Sequence, residues 1–120
     1  MSNENSSDIS IYHDGTCSKC GEALEILQQE HIPHTVRWYL AEPLSVSELK
    51  VLLAKLGLQP SDLVRKGEEL YKERYEGKKI SEKEWLTILT ENPTLLQRPI
   101  VEKGEHAIIA RPPEKIFELL

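Results

Sequence analysis

The chain lacks any apolar run approaching the ~18 residues that a membrane-spanning helix needs. Its first residues, MSNENSSD, are polar and carry neither the basic nor the apolar region of a secretory signal. These absences predict a cytoplasmic protein with no membrane partner. Positive charge is also short: 15 Lys and Arg stand against 20 Asp and Glu, a net charge of −5, which argues against direct binding of nucleic acid. A local basic pocket for a small anion is still compatible with that balance. No glycine-rich phosphate loop follows the first strand, and no motif indicates flavin, nicotinamide or nucleotide, so no bound cofactor is expected. Cysteine is scarcest of the reactive residues, with Cys17 and Cys20 as the only two. Their C-x-x-C spacing is a poor structural staple in a reducing compartment and points to redox or metal chemistry.

What is present reads as one globular domain over residues 8–120, behind a disordered start at 1–7, with 39% hydrophobic and 29% charged residues. DISIYH alternates as a short strand, and DGT turns the chain. Cys20, Ala23, Leu24 and Leu27 then share one face of a helix running to about Glu30. HIPHTVRWYL restarts as a strand, with Pro33 at its beginning. Ser45 and Glu48 form a capping box ahead of Leu49, Leu52, Leu53 and Leu56, and Gly57 stops that helix. QPSDLVRKGEELYKERYEGKKI predicts short helical pieces with a solvated charged face. Ser81 and Glu84 cap another helix that ends near Asn92 and Pro93. PIVEKGEHAIIA reads as a hairpin, and RPPEKIFELL as a closing helix. Tyr12, Trp38, Tyr39, Trp85 and Phe117 read as core or edge packing. The order predicts an α/β domain: a βαβ unit, a helical insertion, then ββα, with C-x-x-C at the first strand–helix junction.

The cysteine pair admits three readings. Zinc is suggested by His31-Ile-Pro-His34, but the histidine gap is two residues and Pro33 is hostile to a helix interior. Both thiols also suit the role of small buried hydrophobes, Cys20 especially. Cys17 is set apart by its position after a Gly-Thr turn, at a predicted helix N-terminus where amide donors and the dipole favour a thiolate. A free thiol with a pKa of about 8.5 is only slightly ionised at neutral pH, and a value near 6 makes the thiolate the major form. Lys19 adds nearby positive charge. The placement favours a reactive Cys17, with Cys20 as a candidate resolving thiol and no metal ligand set.

Arg65, Arg98 and Arg111 stand in LVRKG, LLQRPIV and IARPPEK. Arg98 and Arg111 each adjoin an end of the predicted hairpin and precede proline, which restricts them to extended backbone. Guanidinium groups stay charged and bind oxyanions through paired hydrogen bonds.

IYHDGTCSKCGEALEIL, LVRKG, LLQRPIV and ARPPEKI, in this order over residues 9–120, resemble the glutaredoxin-coupled arsenate reductase family and its Spx- and YffB-like relatives. The resemblance implies a thioredoxin-like (glutaredoxin-like) fold, with a small mixed four-stranded sheet and a helical insertion. It implies Cys17 as nucleophile, Arg65, Arg98 and Arg111 as oxyanion ligands, Pro99 as the cis-proline, and His13 as support for the thiolate. Read on its own, His13 is a strand-end histidine. The implied reaction reduces arsenate or a similar oxyanion, with glutathione as co-substrate and glutaredoxin or thioredoxin restoring the thiol. One departure is Gly21, where family reductases carry an arginine, while C-x-x-C is more typical of the regulators. Two further functions therefore accompany arsenate reduction: a glutathione-dependent thiol–disulfide reductase, and a redox-sensing regulator that binds RNA polymerase.

Overall fold

The computed structural model describes residues 9–15 and 18–120. The disordered start expected at 1–7 and the nucleophile expected at Cys17 lie outside the described residues, as do the side chains of Lys19 and Cys20. The backbone forms two units, one from residues 9–42 and 98–120, the other from Pro43–Gln97.

The first unit contains strand β1 (Ile9–His13), helix α1 (Ser18–Gln29), strand β2 (Thr35–Trp38), and the hairpin of β3 (Ile100–Lys103) and β4 (His106–Ile109). The sheet order is β2-β1-β3-β4; β1 runs parallel to β2 and antiparallel to β3, which is antiparallel to β4. This is the small mixed four-stranded sheet that the family resemblance implies. Alternation along β1 turns Ile9 and Ile11 to one face, where they join Ala23 and Leu27 of α1, Val101, Ala110 and Ile116 in one buried cluster. Each Leu or Ile side chain buried this way contributes about 1.5–3 kcal/mol. The hairpin turn places Gly104 at φ 58°, a left-handed conformation that disfavours a side chain, as the Glu-Lys-Gly-Glu signal requires.

The closing segment differs from its prediction. It is a 3₁₀ turn over Pro113–Glu118. Pro112 and Pro113 remove two amide donors at its start, and the segment packs through Ile116 onto the buried cluster that includes α1. Phe117 is 49% exposed and Trp38 46%, so neither is a core residue, whereas Tyr12 and Tyr39 are buried.

The second unit is the helical insertion: α2 (Val46–Leu56), a 3₁₀ turn at Pro60–Leu63, α3 (Glu69–Arg74), α4 (Glu82–Glu91) and a 3₁₀ turn at Pro93–Leu95. Both predicted capping boxes form. Ser45 and Ser81 hydroxyls accept the N–H of Glu48 and Glu84, and each carboxylate accepts the serine N–H in return. Gly57 ends α2 at φ 70°. The unit's core contains Leu49, Leu52 and Leu53 of α2 with Trp85, Leu86 and Leu89 of α4 among its buried residues, and Tyr71 and Tyr75 stack and tilt against Trp85 at 6.2 and 5.4 Å. The charged stretch is helical only in short pieces, as its composition suggests.

The Ser81 backbone N–H, and then its hydroxyl, hold the Glu84 carboxyl below the usual carboxylate range. This lowered value stabilises the folded state above the ordinary glutamate pKa, and the effect is lost as pH falls through the lowered value. Ser81→Ala removes the cap while keeping the backbone bond, and is expected to cost about 1 kcal/mol. Urea unfolding at neutral pH measures it; an unchanged midpoint would show that the cap contributes nothing.

Candidate active site

The sheet register gathers chemistry at one end of the first unit. Tyr12 pairs with Ile100 and Ile100 with Ile109. The ladder extends one step further, with the Ala110 N–H donating to the Pro99 carbonyl at 2.9 Å. Next along the chain at this end come His13, the last residue of β1, with Asp14 after it, Arg98 shortly before β3, and Arg111 shortly after β4. Helix α1, which carries Cys20, starts a few residues after β1 leaves that same end. The peptide bonds Arg98–Pro99 and Arg111–Pro112 are both cis.

Asp14 organises this end. Its side chain is 3% exposed, and one carboxylate oxygen lies 3.0 Å from Nη1 of Arg98, whose side chain is 22% exposed. A buried carboxylate is tolerated when it is paired in this way. His13 is buried as well. Its Nδ1 accepts the Gly15 N–H at 2.8 Å and lies 4.0 Å from the other Asp14 oxygen. A backbone N–H can only donate, so this geometry leaves the lone pair on Nδ1 and places the ring proton of neutral His13 on Nε2. The ring tilts against Trp38 with centroids 4.9 Å apart. His13 thus ties the strand end to Gly15, which sits at φ 91° in the turn ahead of Cys17 in sequence.

Arg111 is exposed, and its N–H donates to the Ile109 carbonyl. Arg65 belongs to the second unit. Its N–H donates to Leu95 at 2.7 Å, beside the Val64–Leu96 bridge, and its Nη1 lies 3.3 Å from the Thr94 carbonyl and 3.2 Å from a Glu68 carboxylate oxygen. That unit also holds an open groove of about 590 Å³ over Leu53, Leu58 and Leu86, which includes none of the expected site residues. His31 adopts φ 56°, and Nδ1 of His34 hydrogen-bonds the Ile32 carbonyl at 2.7 Å.

Sequence reasoning missed Asp14, reading it as part of a turn. A D-G pair is an ordinary turn signal, and only the register that sets β1 against β3 reveals which cation faces it. The sequence marks Trp38 only as core or edge packing, and the structure adds its contact with His13.

A parallel β-α-β unit joined to an antiparallel hairpin, with an acid–arginine pair and a second arginine at the end where α1 begins, defines a thioredoxin-like protein with a candidate anion site. The ArsC family model matches residues 12–119, and the chain belongs to that family. It is 36% identical over 114 residues to an arsenate reductase of Haemophilus influenzae, covering 93% of this chain and 98% of that one. It is equally similar, at 36% over 114 residues, to the uncharacterised protein YfgD of Escherichia coli, covering 93% and 96%. The structure of arsenate reductase from Vibrio cholerae superposes with a TM-score of 0.88 at 39% identity, over 93% of this chain and 97% of that one.

Proposed function

We propose that this protein is a thiol-dependent arsenate reductase. The Cys17 thiolate attacks arsenic and displaces an oxygen as water, forming an S–As bond while Arg65, Arg98 and Arg111 neutralise the remaining oxygens. A second thiol then supplies the other half of the two-electron reduction. Arsenic leaves in its trivalent form, and the two thiols leave as a disulfide. Glutathione is the proposed second thiol, with glutaredoxin regenerating Cys17; Cys20 with thioredoxin is the alternative route. These reductants place the reaction in a reducing cytoplasm, and among the described residues no helix is long and apolar enough to cross a membrane. His13 and Lys19 are the proposed thiolate supports, and Pro99 the residue set beside the thiol.

The observation that carries the reading is the register that brings Arg98 and Arg111 to the sheet end from which β1 leads to α1, in a chain of the ArsC family. The test is NADPH consumption dependent on arsenate, coupled through glutaredoxin with glutathione and, separately, through thioredoxin. Activity with one system is the expected result; none with either overturns the proposal.

The Cys17-Ser-Lys-Cys20 spacing also favours thiol–disulfide exchange without arsenic, and Arg111 separates the two. Losing a charge-assisted pair of bonds to the oxyanion costs about 1.5–3 kcal/mol. Arg111→Ala is therefore expected to lower kcat/KM for arsenate roughly tenfold to a hundredfold while leaving reduction of a glutathione mixed disulfide nearly unchanged. Equal losses in both assays would assign Arg111 to the fold or to thiol chemistry.

A further inference from the structure

On the reading that Arg98 and Arg111 hold an oxyanion, we infer that Asp14 sets the charge of the anion this site accepts. The carboxylate is almost fully buried and lies 3.0 Å from the Arg98 guanidinium, so Arg98 reaches the site as half of an ion pair. Asp14 therefore acts in two ways. It fixes the orientation of Arg98 through Nη1, and it offsets the cation's field at the position an anion occupies. The repulsion a ligand feels from Asp14 scales with the ligand's own charge. A doubly charged oxyanion loses twice the free energy that a singly charged one does, which squares the factor in affinity. The site is thereby biased towards the singly charged form of an oxyanion that loses its second proton near neutral pH. Arg65 has its own carboxylate, Glu68, at 3.2 Å, but that carboxylate is far more exposed than Asp14, so the pair is screened more strongly by solvent.

Among the charged and titratable groups facing Asp14 are His13, with Nδ1 at 4.0 Å, and Arg98. Asp14→Asn keeps the shape and one acceptor oxygen for Arg98 while removing the charge. Asp14→Glu keeps the charge on a longer arm. The probes are sulfate and methanesulfonate, both tetrahedral at sulfur and fixed at two and one negative charges, so that no ligand proton enters the measurement.

Calorimetric titration of the full chain at pH 8 is expected to give wild-type affinities for the two anions within about threefold of each other. Asp14→Asn should raise methanesulfonate affinity about threefold and sulfate affinity by roughly the square, about tenfold, while Asp14→Glu keeps the wild-type ratio. Equal changes for both anions, no change, or a loss of both would overturn the inference, because a merely structural role does not scale with ligand charge. If Asp14→Asn does not fold, the wild-type ratio decides: a preference of tenfold or more for sulfate contradicts a compensated site. Failure of the wild-type protein to bind either anion also overturns it. Arsenate turnover is read on the same preparations. Its absence defeats the proposed reaction and leaves the charge ratios to judge Asp14.

Discussion

Cys17→Ser is expected to lower arsenate-dependent NADPH consumption by at least about a thousandfold, to the background of the coupling enzymes. Serine keeps the size and hydrogen-bonding capacity of the side chain but provides no accessible thiolate at neutral pH, so the S–As bond does not form. Binding should survive, because the arginines proposed to hold the oxyanion are untouched; sulfate affinity unchanged within about twofold is the matching expectation. Cys20→Ser in the otherwise unchanged chain, with Cys17 intact, separates the two recycling routes. If glutathione supplies the second thiol, that variant keeps its rate in the glutaredoxin assay; if Cys20 supplies it, the thioredoxin-coupled rate collapses too. Appreciable turnover in Cys17→Ser would move the nucleophile elsewhere and defeat the mechanism.

Leu27→Ala should produce the largest loss of stability among single core truncations on α1. Leu27 is fully buried in the cluster with Ile9, Ile11, Ala23, Val101, Ala110 and Ile116. The substitution removes three carbons from a close-packed site and leaves a cavity, at a cost of about 2–5 kcal/mol. Alanine is the better helix former, so propensity does not contribute to the loss. Against a typical total of about 5–15 kcal/mol for a domain, this is a large fraction. Urea unfolding monitored by far-ultraviolet circular dichroism measures it. A cost below about 1 kcal/mol would mean that the cluster repacks around the gap.

The parts legible in the sequence are those whose cause is local. Ser45 with Glu48, Ser81 with Glu84, and Gly57 each act within one helical turn, and each forms as its spacing dictates. The hairpin is legible for the same reason, since its turn chemistry lies in Lys103-Gly104-Glu105. RPPEKIFELL differs because its apolar spacing suits a helix, while the prolines at its start and packing onto the α1 cluster select a 3₁₀ turn. Trp38 and Phe117 show that an aromatic residue in an element need not lie in the core. The candidate site divides along the same line. Cys17, Cys20, Arg65, Arg98 and Arg111 are nameable because each sits in a short motif. The ion pair between Asp14 and Arg98 is not, because it depends on which strands become neighbours, and the chain separates those residues by the whole second unit.

The hairpin turn gives the two cations at the sheet end a common ruler. Arg98 and Arg111 stand equally far along the chain from the Lys103–His106 pair that closes the turn. The register from Lys103–His106 to Ile100–Ile109 is thus counted out, rung by rung, from the hairpin tip, and it sets where the chain to each arginine leaves the sheet. One residue added beyond Gly104 falls in an exposed turn. If the ladder absorbs that residue by slipping, β4 shifts by one strand position against β3 and its side chains turn to the other face. The tip of the hairpin therefore sets the register of the two strands from which Arg98 and Arg111 extend, several residues from either arginine.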